Sequence, residues 1–272
     1  MAISDYYDGM DAIIKDSGNN EVFKISPSSI EDFFTSTSQY YWEQVLGNEK
    51  AFQGSTSTHL GTIVHHCAEV SAKEGDTTAF EAEVTEFLAE IKDENVDKDI
   101  IRSLWFDMAS LLVSNTILTD NYKVKGTEEF LFEKLNDDVY VGGTYDCLIE
   151  DPAVPGGFIV VDYKTAGTKP QGFSRKYKWQ AYTYAWMLRN KGINVTRVQL
   201  SFVTRPTKTL PVRYFEFVEE YTDENHEYIG KILALIAKSV SMYKANPDLR
   251  AIIAQDINYT PPTPKTAFPS KA

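Results

Sequence analysis

Apolar and polar positions first change from helical to strand-like period near residue 128. Before that point the apolar residues recur at helical spacing, and beyond it strand-like alternation and apolar runs are interrupted by two further helical stretches. Residues 1 to 25 carry weak periodicity and predict irregular chain or a short helix. Ser26-Pro27-Ser28-Ser29-Ile30-Glu31 predicts a helix start, because Ser28 and Glu31 stand at capping-box spacing and Pro27 is tolerated there. Phe33, Phe34, Tyr40, Tyr41 and Trp42 then form the apolar side of one or two helices, ended by Gly47. Gly61 to Ala72 reads as a helix, and 77 to 119 as two more, broken at Asp93-Glu94-Asn95.

After the change of period, Glu128 to Leu135 and Val139 to Ile149 predict two strands joined by a turn at Asn136-Asp137-Asp138. Phe158 to Tyr163 is almost wholly apolar, as a buried central strand is. Ser174 to Asn190 predicts an aromatic helix closed by Lys191-Gly192. Val195 to Arg205 and Pro211 to Val218 follow as strands, and Tyr221 to Ala245 as a last helix. From Asn258 onward there are four prolines and no apolar period, which predicts a disordered tail over 258–272. The expected fold class is therefore α/β: one domain over 1–257, with a helical N-terminal part and a helical insertion at about 76–122.

Composition narrows the function classes. No apolar run approaches the ~18 residues of a membrane span, and the acidic start MAISDYYDGMD has no signal-like apolar stretch. Cys67 and Cys147 stand far apart in no metal-binding spacing, so a reduced, cytoplasmic protein is expected. Two cysteines also fall short of the four thiolates an iron–sulfur cluster usually takes. There is no phosphate-binding loop of the G-x-x-x-x-G-K-[ST] type, which argues against an NTP-driven motor, and no Ser/His/Asp hydrolase pattern. The formal net charge of −12 speaks against a polyanionic partner, but its distribution speaks for one. Tyr163 to Phe215 contains eleven Lys and Arg and no Asp or Glu, which predicts a basic face on an acidic protein.

The candidate chemistry lies where strands are predicted. Asp162 and Lys164 stand at i and i+2, on one face of the central strand. Asp146, in Gly142-Gly143-Thr144-Tyr145-Asp146, comes near the end of the preceding strand and can meet them across the sheet. Two carboxylates with a lysine suit phosphodiester hydrolysis. The carboxylates would hold Mg²⁺ or Mn²⁺, and the lysine would orient water or stabilise charge building on the phosphate. Asp-x-Lys alone is common as a surface ion pair, so its neighbours decide.

Four segments resemble, in order, the motifs of the RecB-type branch of the PD-(D/E)xK nucleases. Gly61-Thr62-Ile63-Val64-His65 is similar to its G-x-x-x-H, and Gly143-Thr144-Tyr145-Asp146 to its G-x-x-D. Asp162-Tyr163-Lys164 is similar to its D-x-K, and Gln180-Ala181-Tyr182-Thr183-Tyr184 to its Q-x-x-x-Y. Ser26-Pro27-Ser28-Ser29-Ile30 also looks like the S-P-S-x-L that opens many members. The resemblance covers about residues 26 to 205 and implies a restriction-endonuclease-like core, a central mixed sheet flanked by helices. It implies that His65, Asp146, Asp162 and the backbone carbonyl of Tyr163 ligate the metal and that Lys164 is the catalytic lysine. Gln180 and Tyr184 would organise the site and touch DNA. The chain departs from many relatives in having Ser36-Thr37-Ser38-Gln39-Tyr40 where they carry Cys-Pro, so no 4Fe–4S cluster is expected. Tyr145 also replaces the superfamily's proline before the first aspartate.

Arg175, Lys176 and Lys178, beside the aromatic residues of their helix, are expected to contact DNA. His66 is expected to be structural, because it points about 100° away from His65. Glu69 is expected to be solvated rather than an outer partner of the metal ligands, and Glu128 and Glu129 to form an exposed strand end, with support of the metal shell by either as the alternative. The expected activity is a metal-dependent exonuclease on linear DNA, in recombination, repair or phage replication. A structure-specific endonuclease with the same site and an inactive DNA-binding module are the alternatives. Viral relatives suggest a ring-like oligomer or a recombinase partner, and the tail suggests a peptide for a single-strand-binding protein.

Overall fold

The structure, a computed structural model, describes residues 9–18, 20, 22–41, 55–74, 80–119, 123–246 and 248. Trp42, Gly47 and the proline-rich tail lie outside the described residues. A short helix α1 (Met10–Asp16) and a short strand β1 (Phe23–Ile25) lead into a 3₁₀ turn at Pro27–Ser29 and two small helices, α2 (Ile30–Thr35) and α3 (Thr37–Tyr40). Three longer helices follow: α4 (Thr56–Glu74), α5 (Phe80–Glu90) and α6 (Lys98–Thr116). The remainder is β2 (Val124–Lys134), β3 (Val139–Glu150), β4 (Phe158–Ala166), α7 (Arg175–Asn190), β5 (Val195–Thr204), β6 (Arg213–Glu220) and α8 (Asp223–Ala245).

These strands form one six-stranded mixed sheet. β3 pairs antiparallel with β2 along one edge. Its other edge is divided. Val139, Tyr140 and Val141 pair in parallel with β1, and Cys147 to Glu150 pair antiparallel with β4. Residues 142–146 lie between the two partners, and the site is built at that gap. β4 continues in parallel with β5, and β5 antiparallel with β6. One face of the sheet packs on α2, α3, α7 and α8, through residues such as Ile30, Tyr40, Val160, Tyr184 and Leu233. The other packs on α4, α5 and α6, through Ile63, Leu88, Met108, Val161 and Tyr163. This is the expected α/β sandwich, with the alternation of β4 sending Val160 to one layer and Val161 to the other.

Local signals held in part. Gly192 follows α7 at φ 83, the left-handed conformation that a helix-ending glycine adopts without strain. At the predicted turn, Asn136 accepts the Asp138 N–H at 2.9 Å through its side chain. The capping box predicted at Ser28 is absent. Glu31 instead accepts three hydrogen bonds from the Arg175 guanidinium at 2.7–2.9 Å, a charge-assisted pair that a backbone N–H does not outcompete. The strands are also longer than their apolar runs. β2 begins at Val124, and β4 reaches Ala166, because pairing partners on β3 and β5 hold polar residues in register.

A buried ion pair ties the β3–β4 connection to β5. Burial alone would raise the Asp151 carboxyl, but Arg197, Thr196 Oγ1 (2.6 Å) and the Ala153 N–H (2.8 Å) hold it down to about 2. Its folded value lies below its unfolded one, so its stabilisation is complete above about pH 4 and is lost as pH falls toward 2. Asp151→Ala leaves Arg197 without its partner and is expected to lower unfolding free energy by about 3 kcal/mol at pH 7. Urea denaturation of the variant beside wild type measures this, and an unchanged midpoint would assign the pair no structural role.

Candidate active site

The site begins where β3 and β4 part. Their ladder ends at Cys147 and Val161. At the next position Asp146 turns its side chain across the gap and accepts the Tyr163 N–H at Oδ2, 2.5 Å away. A carboxylate thus replaces a strand-to-strand rung. In a strand the N–H and C=O of one residue lie on the same edge, so the Tyr163 carbonyl also faces the gap. The Tyr163 ring is buried on the layer of α4, edge-on to His65 at 5.9 Å and 87°. His65 Nδ1 stands 3.7 Å from Asp146 Oδ1.

Asp162 and Lys164 point together, as their spacing requires. Asp162 is 2% exposed, and the Lys164 ammonium lies 2.5 Å from its Oδ2. That contact has no hydrogen-bonding alignment, and Oδ2 has no other donor among the described residues. The Lys164 ammonium also sits over the Tyr177 ring, 5.3 Å from its centroid. The two carboxylates are driven apart in acidity. Burial and the neighbouring Asp146 charge raise Asp162 against the pull of Lys164. For Asp146 the burial penalty is outweighed by His65, Lys164 and the Tyr163 N–H, and its pKa is lowered. Lys164 is raised, because Asp162 and Asp146 outweigh its own burial, so it is an ammonium at neutral pH.

The sequence motifs meet physically around two glycines. A Cβ on Gly143 would stand 2.9 Å from Pro27 Cδ and 3.0 Å from the Tyr184 hydroxyl. The S-P-S segment, the G-x-x-D strand and the Q-x-x-x-Y helix therefore converge on one missing side chain. A Cβ on Gly61 would stand 3.0 Å from Thr165 Oγ1, so α4 approaches β4 closely where His65 is delivered. Tyr184 is 5% exposed and fixes this packing, which suits an organising role and leaves DNA no ring face to meet. Gln180, on the same helix, is half-buried.

The basic block differs from the expected single face. Arg175 pairs with Glu31, Lys178 with Glu219, Arg189 with Asp223 and Arg197 with Asp151. These acids lie outside the block in sequence and fold back onto it. Lys176 is exposed and has no ion pair among the described residues. At the ends of the parallel strands β4 and β5, Lys169 and Arg213 both lie over the Phe215 ring, at 5.8 and 5.2 Å. Arg205 lies against Gly167 there. Positive charge at the ends of β4 and β5 thus comes from members of the basic block other than Arg175, Lys176 and Lys178, the three expected to contact DNA. Two acidic residues also differ from expectation. Glu69 is mostly buried, bonded to Lys73 at 2.5 Å, and Glu128 lies inside β2. His66, paired with Glu83 at 2.8 Å, is structural as expected.

Among the described residues no three His, Cys, Asp or Glu side chains close into a cage for an ion as they stand. The donor chemistry nonetheless fits a hard divalent cation: a buried carboxylate oxygen without a hydrogen-bond donor, a second carboxylate and an imidazole beside it. Among the described residues no helix is long and apolar enough to cross a membrane.

No curated protein matches the chain. A Eubacterium rectale protein, provisionally named an exonuclease, has a TM-score of 0.52 to this structure at 17% identity, over 89% of this chain and 86% of its own. LHK-Exo, solved in complex with dAMP, aligns at 15% identity over 70% of this chain and 92% of its own, and its TM-score of 0.35 carries no argument. The model of the PD-(D/E)XK nuclease superfamily matches residues 24–260, which takes in α2 through α8 and every site residue above. With a match over most of its length, the chain belongs to the PD-(D/E)XK nuclease superfamily.

Proposed function

We propose that this nuclease is a metal-dependent exonuclease that shortens linear DNA. The observation that carries the metal-dependent site is the Lys164 ammonium held 2.5 Å from the buried Asp162, whose Oδ2 makes no aligned hydrogen bond among the described residues. His65, Asp146, Asp162 and the Tyr163 carbonyl would hold Mg²⁺ or Mn²⁺. A bound divalent ion would polarise the phosphoryl oxygen and make its water more acidic. Lys164, kept protonated by two carboxylates, places positive charge where the phosphate becomes more negative and is no general base. The Tyr163 N–H fixes Asp146, and the Tyr177 ring limits where the ammonium can go. Gly143, Pro27 and Tyr184 hold the gap open behind them. Lys169, Lys176, Arg205 and Arg213 supply positive charge for the phosphate backbone.

A preference for DNA ends is supported by the order of the RecB-type motifs. The metal-binding groups themselves suit an endonuclease equally well. End-labelled linear duplex beside a covalently closed circle, with Mg²⁺, Mn²⁺ or EDTA, separates the readings. Shortening of the linear DNA alone, abolished by EDTA, is expected. Cutting of the circle would make the protein an endonuclease with the same site. Cleavage of neither would leave a DNA-binding module, and roles beside a recombinase or a single-strand-binding protein would then become the question.

A further inference from the structure

Glu128 occupies a position that its sequence does not explain. It lies within β2, between Thr127, which pairs with Cys147, and Glu129, which pairs with Tyr145. That register sets Glu128 opposite Asp146, although the two form no rung. Opposed residues of an antiparallel pair carry their side chains on one face, a few ångströms apart. Glu128 is also the one non-glycine residue among those described with a left-handed backbone, at φ 50. For a residue with a long side chain this conformation is strained, and such strain persists where surrounding structure enforces it. The adjacent Glu129 is occupied otherwise, as the hydrogen-bond partner of the Tyr145 hydroxyl.

The surroundings of Glu128 are acidic. Burial, then Asp146, then Glu69, and more weakly Asp162 push its carboxyl up to about 9, and Lys73 opposes them. The acids come from four elements: β2, β3, β4 and the face of α4 that also carries His65 one turn before Glu69. Beside them lies the buried Asp162 Oδ2, which is in contact with the Lys164 ammonium but makes no aligned hydrogen bond among the described residues. Lys164 and Lys73 are the cations facing this group, and each is already drawn to one carboxylate at 2.5 Å. Negative groups gathered with this excess are stable together when a cation of higher charge joins them.

From this placement we infer that Glu128 is a further carboxylate of the metal centre, set beside Asp146 by the left-handed turn in β2 to bind the divalent cation with it. The inference rests on the metal-dependent reading above. Glu69 stands behind it as a positioning residue, held by Lys73.

The test is Mn²⁺ binding in the absence of DNA, by titration calorimetry, on wild type, Glu128→Gln, Glu128→Gly, Glu129→Gln and Asp162→Asn. Glu128→Gln and Glu128→Gly are expected to bind Mn²⁺ at least ~10-fold more weakly, whereas Glu129→Gln matches wild type. Glycine adopts φ 50 freely, so metal-free Glu128→Gly is expected to melt a few degrees above wild type, which guards against misfolding as the cause. Affinity within twofold of wild type in both Glu128 variants, with binding lost in Asp162→Asn, overturns the role of Glu128 and leaves the metal centre standing. No Mn²⁺ binding by wild type overturns the metal centre and this inference together.

Discussion

Lys164→Met is expected to slow phosphodiester cleavage by ~10²–10³-fold while leaving Mn²⁺ affinity near that of wild type. The reasoning is electrostatic. Lys164 is 15% exposed and touches Asp162 on one side and the Tyr177 ring on the other, so its ammonium has little freedom. A fixed charge of this kind needs no reorganisation as the phosphate becomes more negative. Methionine keeps most of the stem and its packing but removes the charge. The ammonium also competes with a cation for Asp162, so removing it does not weaken metal binding. Single-turnover cleavage with saturating Mg²⁺, beside calorimetry with Mn²⁺, measures both quantities. A variant with full activity would reduce the Asp162–Lys164 contact to a buried ion pair without chemistry.

The sequence carried the chemistry of this site further than its support. Asp162 and Lys164 share a face because strand spacing dictates it, and Asp146 reaches them because the β3–β4 ladder ends one residue away. His65 was placed by resemblance, and Gly61 shows the physical reason, since a side chain there would press on Thr165. Other features required coordinates. β1 is three residues long, too short to show a period, yet it divides the edge of β3 and so creates the gap. The convergence of Pro27, Gly143 and Tyr184 joins Pro27 to residues more than a hundred positions away, and no local pattern announces it. Glu128 looked like a strand end because the polar stretch ahead of it hid the start of β2. The basic block misled for a related reason: charge read along a sequence omits the acids that fold back, as Glu31, Glu219 and Asp223 do.

Asp162→Asn is expected to behave differently from Lys164→Met, losing ~10³-fold or more in cleavage and at least ~10-fold in Mn²⁺ affinity. Asparagine keeps the shape and one acceptor oxygen, so the fold should survive, as far-ultraviolet circular dichroism would report. It cannot keep the charge, and the Oδ2 position that lacks a hydrogen bond becomes either an amide nitrogen or a neutral oxygen. Asp162 lies deeper than Asp146, and its Oδ2 has no hydrogen-bond partner among the described residues, whereas Asp146 is held by the Tyr163 N–H whether or not an ion is bound. A buried carboxylate whose own fold raises its pKa is costly to keep in a protein that does not use it. If Asp162→Asn kept both activity and affinity, its burial would be structural and the metal would have to sit elsewhere. If it lost affinity while Lys164→Met lost only rate, the two neighbours 2.5 Å apart would divide the work, the aspartate holding the ion and the lysine meeting the charge of the phosphate.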